Sequence, residues 1–252
     1  MNESNNELND LQEKKENNNQ PNKKKKIFII VCIIVCLLII GTIGLIILEN
    51  YQKANNKFDD YPVRTGGTFD EKPIIYLYPT KNQEISVKLG YNNRITTSYP
   101  KYTTGWKVFA KPNGDLLDLS TNKKLYSLYY ESTSVYDFEV KNYGFVIKGE
   151  EVAKFLEEKL SILGLTERES EEFIIYWLPK LEANKYNYIR FATIDEINAN
   201  MPLEINPNPD TVIRVLMIFK GLDKPIEVKE QQLTTPERIG FVAVEWGGTE
   251  IK

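Results

Sequence analysis

Apolar positions recur along this chain with three rhythms. The first is unbroken. Residues 27–48 read IFIIVCIIVCLLIIGTIGLIIL, where seventeen of twenty-two side chains are Ile, Leu, Val or Phe and none is charged. As a helix rising 1.5 Å per residue the run covers about 33 Å, enough for a hydrocarbon core of about 30 Å. A helix is required there because lipid offers no partner to a free N–H or C=O. The second rhythm has a period of two. Ile85, Val87 and Leu89 alternate with polar residues, as do Trp106, Val108 and Ala110, which predicts half-buried strands. Further strands are expected at 74–78, 95–99, 116–117, 125–130 and 145–147. Pro112-Asn113-Gly114-Asp115 supplies a turn suited to φ > 0. The third rhythm is helical. Val152, Phe155, Leu156, Leu160 and Leu163 share one face, and Gly164 is the stop. Thr166-x-x-Glu169 is a capping box for a second helix expected to end at Pro179. Strands return at 188–191, 203–205, 211–220, 226–228 and 241–246. The 211–220 strand is apolar on both faces and should be central. The pattern as a whole predicts an α+β fold: an antiparallel-rich β-sheet with a packed helical hairpin, preceded by one transmembrane helix.

Charge sets the expected organisation. Lys23 to Lys26 precede the span, while Glu49, Lys53, Lys57, Asp59 and Asp60 follow it with a slight acidic excess. Lys and Arg stay on the cytoplasmic side. We therefore expect a cytoplasmic tail at 1–26, a membrane helix at 27–48 in contact with the lipid bilayer, a stalk at 49–71 and an extracytoplasmic domain at 72–252. The Asn- and Glu-rich start has too little apolar surface to order itself. A cleaved signal peptide would have a shorter apolar core and a small-x-small site. Cys32 and Cys36 each follow Val, which is not the small residue expected before a lipidated Cys. With Gly44 they form a small-residue stripe on one helix face, a possible contact for a second helix.

Composition then removes function classes. There is no His, and the two Cys both lie in the span. Ser-His-Asp and Cys-His catalysis and His-bound zinc are therefore excluded. The net charge of −3 gives nucleic acid no footprint. No cofactor and no metal is implied: Asn113, Asp115 and Asp118 match no calcium loop.

Three motifs, Lys72-Pro73-Ile74-Ile75-Tyr76-Leu77-Tyr78-Pro79, Tyr176-Trp177-Leu178-Pro179, and Arg238-x-Gly240-Phe241 running into Val244-Glu245-Trp246-Gly247-Gly248, resemble an uncharacterised family of bacterial secreted or surface-anchored proteins. The resemblance implies an extracytoplasmic domain and carries no activity.

Candidate binding residues come from charge and aromaticity. Arg214 lies in a strand with apolar neighbours on both faces, so it needs a carboxylate. Glu245 is the natural counterpart. Arg190, between Ile189 and Phe191, poses the same question. Fifteen Tyr and three Trp offer rings that suit sugars and protein partners as well as a core. Tyr76 and Tyr78 share a strand face, Trp177 ends a helix, and Trp246 precedes a Gly pair. These seven residues make a candidate surface for envelope glycan, peptide or a protein partner. The rivals are a carboxylate-dependent hydrolase using Glu237 and Glu245, whose separation glycoside hydrolysis would fix, and an accessory subunit of a membrane complex.

Overall fold

The computed structural model describes residues 23–56, 69–134 and 137–251. The expected disordered tail up to residue 22, and stalk residues 57–68, lie outside the described residues. The helix and the domain after it form separate compact units.

Helix α1, Lys23–Asn56, overruns the predicted span at both ends. None of Ile27–Ile46 is buried within the protein, and the helix is long and apolar enough to cross a membrane. The Thr42 hydroxyl donates to the Ile39 carbonyl at 2.9 Å, so this polar group is satisfied inside the helix.

The domain has two sheets where the periodicity suggested one. The larger has the order β12-β8-β9-β11-β13-β1-β7-β3. These strands are β1 (Phe69–Tyr78), β3 (Ile95–Tyr99), β7 (Leu128–Thr133), β8 (Tyr143–Lys148), β9 (Tyr186–Phe191), β11 (Thr211–Leu222), β12 (Lys229–Glu230) and β13 (Val242–Glu250). The smaller has the order β10-β2-β4-β5-β6, from β2 (Gln83–Leu89), β4 (Trp106–Ala110), β5 (Leu116–Asp118), β6 (Lys124–Leu125) and β10 (Leu203–Asn206). Among the described residues only the β11–β13 and β12–β8 pairings are parallel.

Alternation on the large sheet explains its two-sided core. Ile74 and Tyr76 of β1, Ile213, Val215, Met217 and Phe219 of β11, and Val244 and Trp246 of β13 face one way. Helices α2 (Val152–Ile162) and α3 (Glu167–Glu182) cover that face, with Leu156, Leu160, Phe173, Trp177 and Leu181 packed into it. Ile75, Leu77, Phe241 and Ala243 face the other way, against Ile85, Val87, Trp106 and Val108 of the small sheet. A fourth helix, α4 (Ile194–Asn200), lies on that second side through Ile197, against Leu216 and Ile218. Each fully buried Leu, Ile or Phe contributes about 1.5–3 kcal/mol.

Several boundaries differ from expectation, for physical reasons. The predicted 125–130 strand is interrupted at Tyr126 and Ser127, and its halves join different sheets as β6 and β7. Residues 226–228 form no strand. Pro225 before them has no N–H to give, and pairing with β8 begins only at Lys229. Helix α3 continues through Pro179 to Glu182. Pro179 deprives only the carbonyl of Ile175, four residues back on the solvent face, where Ile175 is 67% exposed and the lost bond falls within reach of solvent. The capping box at Thr166 is present: its side chain accepts from Glu169 N–H, and Glu169 accepts from Thr166 N–H. The 112–115 turn is also as read, with Gly114 at φ +87°, where a Cβ would strike the Tyr78 ring at 2.8 Å.

Candidate functional site: a tyrosine and cation band

On α3, Arg168, Glu172, Tyr176 and Lys180 fall four residues apart, so they line one helix stripe. That stripe runs beside Tyr76 and Tyr78 of β1 and beside Tyr126 and Tyr129 around the start of β7. The rings of Tyr76 and Tyr78 lie 6.4 Å apart and nearly parallel, at 4°. Tyr126 sits 6.4 Å from Tyr76 and is 47% exposed.

Cations sit on these ring faces. The Arg168 guanidinium lies 5.1 Å from the Tyr126 centroid and Arg238 lies 5.3 Å from Tyr78. The Lys72 ammonium stands between Tyr129 at 5.4 Å and Tyr176 at 5.2 Å. Each such contact contributes about 0.5–1 kcal/mol at an exposed site. Lys72 adopts φ 60°, a left-handed conformation that is unfavourable for a residue with a Cβ. It occupies the bulge where β1 shifts register against both neighbours.

Carboxylates fix the hydroxyls. Tyr76 donates to Glu172 Oε2 at 2.6 Å, and Arg168 Nε donates to Glu172 Oε1 at 3.3 Å. Tyr176 donates to Glu71 Oε2 at 2.9 Å, and Lys180 pairs with the same oxygen. Arg238 makes a two-pronged pair with buried Glu169 at 3.0 and 3.2 Å. Burial, reinforced by these carboxylates, pushes the phenols of Tyr76, Tyr78 and Tyr176 well above their ordinary range. These three phenols therefore keep their protons. Glu172, Glu71 and Glu169 pair with Arg168, Lys180 and Arg238, and Glu131 lies beside Tyr129, where Lys72 also sits, so the band is close to neutral.

The three quoted motifs meet here. β1 pairs with β13, with Ile74 opposite Trp246. Trp177 of α3 lies over Gly248, where a Cβ would come within 2.6 Å of the indole. Gly248 thus admits the helix to the sheet.

Of the seven candidates, three leave the surface altogether. Trp177 and Trp246 are 0% exposed and pack against Phe219 and Phe173 respectively. Arg190 is also 0% exposed and holds Glu196 at 3.0 and 3.2 Å. Burial opposes ionisation of Glu196, but the Arg190 bonds outweigh it and lower its pKa. Reading these three as a binding face is corrected by their burial, since no ligand reaches them. Tyr76 is 2% exposed and meets the band through its hydroxyl bond to Glu172 and its ring contacts with Tyr78 and Tyr126.

Arg214 and Glu245 do form the expected pair. Arg214 Nε donates to Glu245 Oε2 at 2.5 Å, with the two side chains 2% and 6% exposed. The Tyr130 hydroxyl donates to Glu245 Oε1 at 2.8 Å. The guanidinium also reaches Asn198 Oδ1 at 2.7 Å and the Met201 carbonyl at 2.9 Å. Glu237 is exposed and Glu245 is walled in, so the two carboxyls offer no shared cleft. Asp70 is the buried carboxyl beside Glu245, and the cavity they line measures about 20 Å³. That is room for one water and no polymer. Sequence reasoning missed Asp70, Tyr126 and the α3 stripe. The stripe was legible as a spacing of four. Tyr126 sits in a two-residue gap that carries no periodicity.

Comparison with known proteins finds no matching family model, no matching curated protein and no matching solved structure.

Proposed function

We propose that this protein is a single-pass membrane protein whose outward-facing domain binds an uncharged envelope glycan along the tyrosine and cation band. Lys23 to Lys26 ahead of the helix support a cytoplasmic N-terminus. The observation that carries the ligand class is Tyr126. It is a large ring, 47% exposed, with the Arg168 guanidinium 5.1 Å from its centroid and the tilted Tyr76 ring 6.4 Å away. A sugar ring presents apolar C–H faces and polar hydroxyl edges, which suit a rigid aromatic face rimmed by Glu172, Arg168 and Arg238. The balance of four cations against four acids favours a neutral ligand over a polyanion.

The test is co-sedimentation of the full-length protein, in detergent micelles, with insoluble cell-wall glycan. Wild type should sediment with the glycan. Tyr126→Ala should bind about tenfold more weakly, equivalent to ~1.4 kcal/mol of ring contact, with an unchanged melting temperature because the ring is exposed. A wild-type protein that stays in solution, or a Tyr126→Ala variant that binds equally well, would overturn this reading.

A further inference from the structure

The end of the large sheet away from the band is left half finished. β12 pairs with β8 only at Tyr143 and Gly144. Lys229 N–H donates to the Asn142 carbonyl at 2.9 Å, and Gln231 N–H donates to the Gly144 carbonyl at 3.3 Å. The chain then leaves this edge, and the Gln231 side chain takes both backbone groups of Phe191 in β9, at 2.9 and 2.8 Å. Successive peptide groups of a strand point to opposite sides. Those of Asn142 and Gly144 point away from β9, so those of Val146 and Lys148 do too. Gly149, of the other parity, donates inward to the Lys185 carbonyl at 3.2 Å. Among the described residues no backbone group pairs with the outer side of Val146 or Lys148.

A groove of about 790 Å³ opens along this bare edge. Val146 and Ile147 of β8, Phe155 of α2, and Ile226 and Val228 of the arm leading into β12 line it. Ile226 and Val228 alternate with polar neighbours as strand residues do, yet they form no strand, and Ile226 is 39% exposed. The charge of the lining is acidic: Glu151, Glu158, Glu227 and Glu230 stand against Lys154 and Lys159. Lys159 is already engaged, with Glu158 at 2.8 Å and Glu230 at 3.7 Å. Glu151 and Glu227 are exposed, and among the described residues neither forms an ion pair.

We propose that the bare edge of β8 takes up an extended, basic segment of a partner protein as an added strand, bonded to Val146 and Lys148 and flanked by the acids of α2 and the arm. Main-chain bonds to an open edge supply affinity and the flanking side chains supply selectivity. Apolar residues of the segment suit Phe155, Ile226 and Val228, and Lys or Arg between them suit Glu151 and Glu227. A lysine often guards such an edge, but the Lys148 ammonium turns to Glu150 at 3.6 Å. A second copy of the domain is a poorer occupant, because its own edge carries the same acids and like charges would face each other. β9, β11 and β13 separate β8 from β1, so this site does not depend on the glycan reading.

The test uses the full-length protein in micelles and a capped, fluorescent octapeptide alternating Val and Lys. Its anisotropy should rise on binding, and the Val146 and Lys148 amides, close to intrinsic exchange rates in the free protein, should gain about tenfold protection from hydrogen exchange. A Val-Glu peptide, or the Val-Lys peptide N-methylated at alternate residues, should not bind. Val146→Pro removes an edge donor without touching the β9 ladder and should abolish binding. Glu151→Lys combined with Glu227→Lys, both exposed, should weaken binding about tenfold at an unchanged melting temperature, a readout that stands even if the proline variant misfolds. Tyr126→Ala should leave binding intact. No binding of the Val-Lys peptide, equal binding of the Val-Glu peptide, or binding that survives the double charge reversal would each overturn the proposal. So would Val146 and Lys148 amides already protected in the free protein, since the edge would then be occupied.

Discussion

Arg214 and Glu245 show how far one residue can be read from its neighbours. Apolar positions on both faces of β11 and β13 leave no water for a charge, so each had to find the other. The parallel register sets them directly opposite. Glu245→Gln keeps the shape and leaves the Arg214 charge without its buried counter-ion. It should destabilise the domain by about 3–5 kcal/mol in urea denaturation. Replacing both residues by Met should cost less than either single change, because an uncompensated charge costs more than an apolar pair. Additive losses would contradict a direct pair. Other residues resisted this kind of reading. Trp177 and Trp246 have the same chemistry in a core as on a binding face. Only the spacing Phe173, Trp177, Leu181, which turns one helix face inward, separates the two. Asp70 carried no signal, because the groups that bury it come from four other elements distant in the chain.

Elements were legible where local chemistry dictates them. The Thr166–Glu169 box, the Gly114 turn and the two-sided β11 strand all follow from residues within a few positions. Removing the cap with Thr166→Ala should cost about 1 kcal/mol and lower the melting temperature by about 2–4 °C for a domain of this size. No change in melting would mean that the helix start is held by packing alone. Helix α4 escaped the apolar pattern because seven residues are too few to show a period. Its signal was a second capping box, Thr193-x-x-Glu196, with Glu196 bonded back to Thr193 N–H at 2.9 Å. The division into two sheets was not legible at all. Alternation tells a strand which side is apolar but does not name its partner, and β6 and β7 separate at Tyr126 without any break in composition.

For the whole molecule, a membrane-length helix precedes a domain whose core needs no disulfide. That core is built from a helical hairpin, an eight-stranded sheet and a five-stranded sheet. The glycan reading requires the head to stand outside the cytosol, and the chain offers a clean way to ask. Its two cysteines, Cys32 and Cys36, both lie in that apolar helix, so with both changed to Ala a single Lys123→Cys at an exposed turn reports the position of the head. Labelling of intact cells with a membrane-impermeant maleimide should modify that cysteine before lysis. Modification only after the cells are broken would place the head in the cytosol and contradict the account.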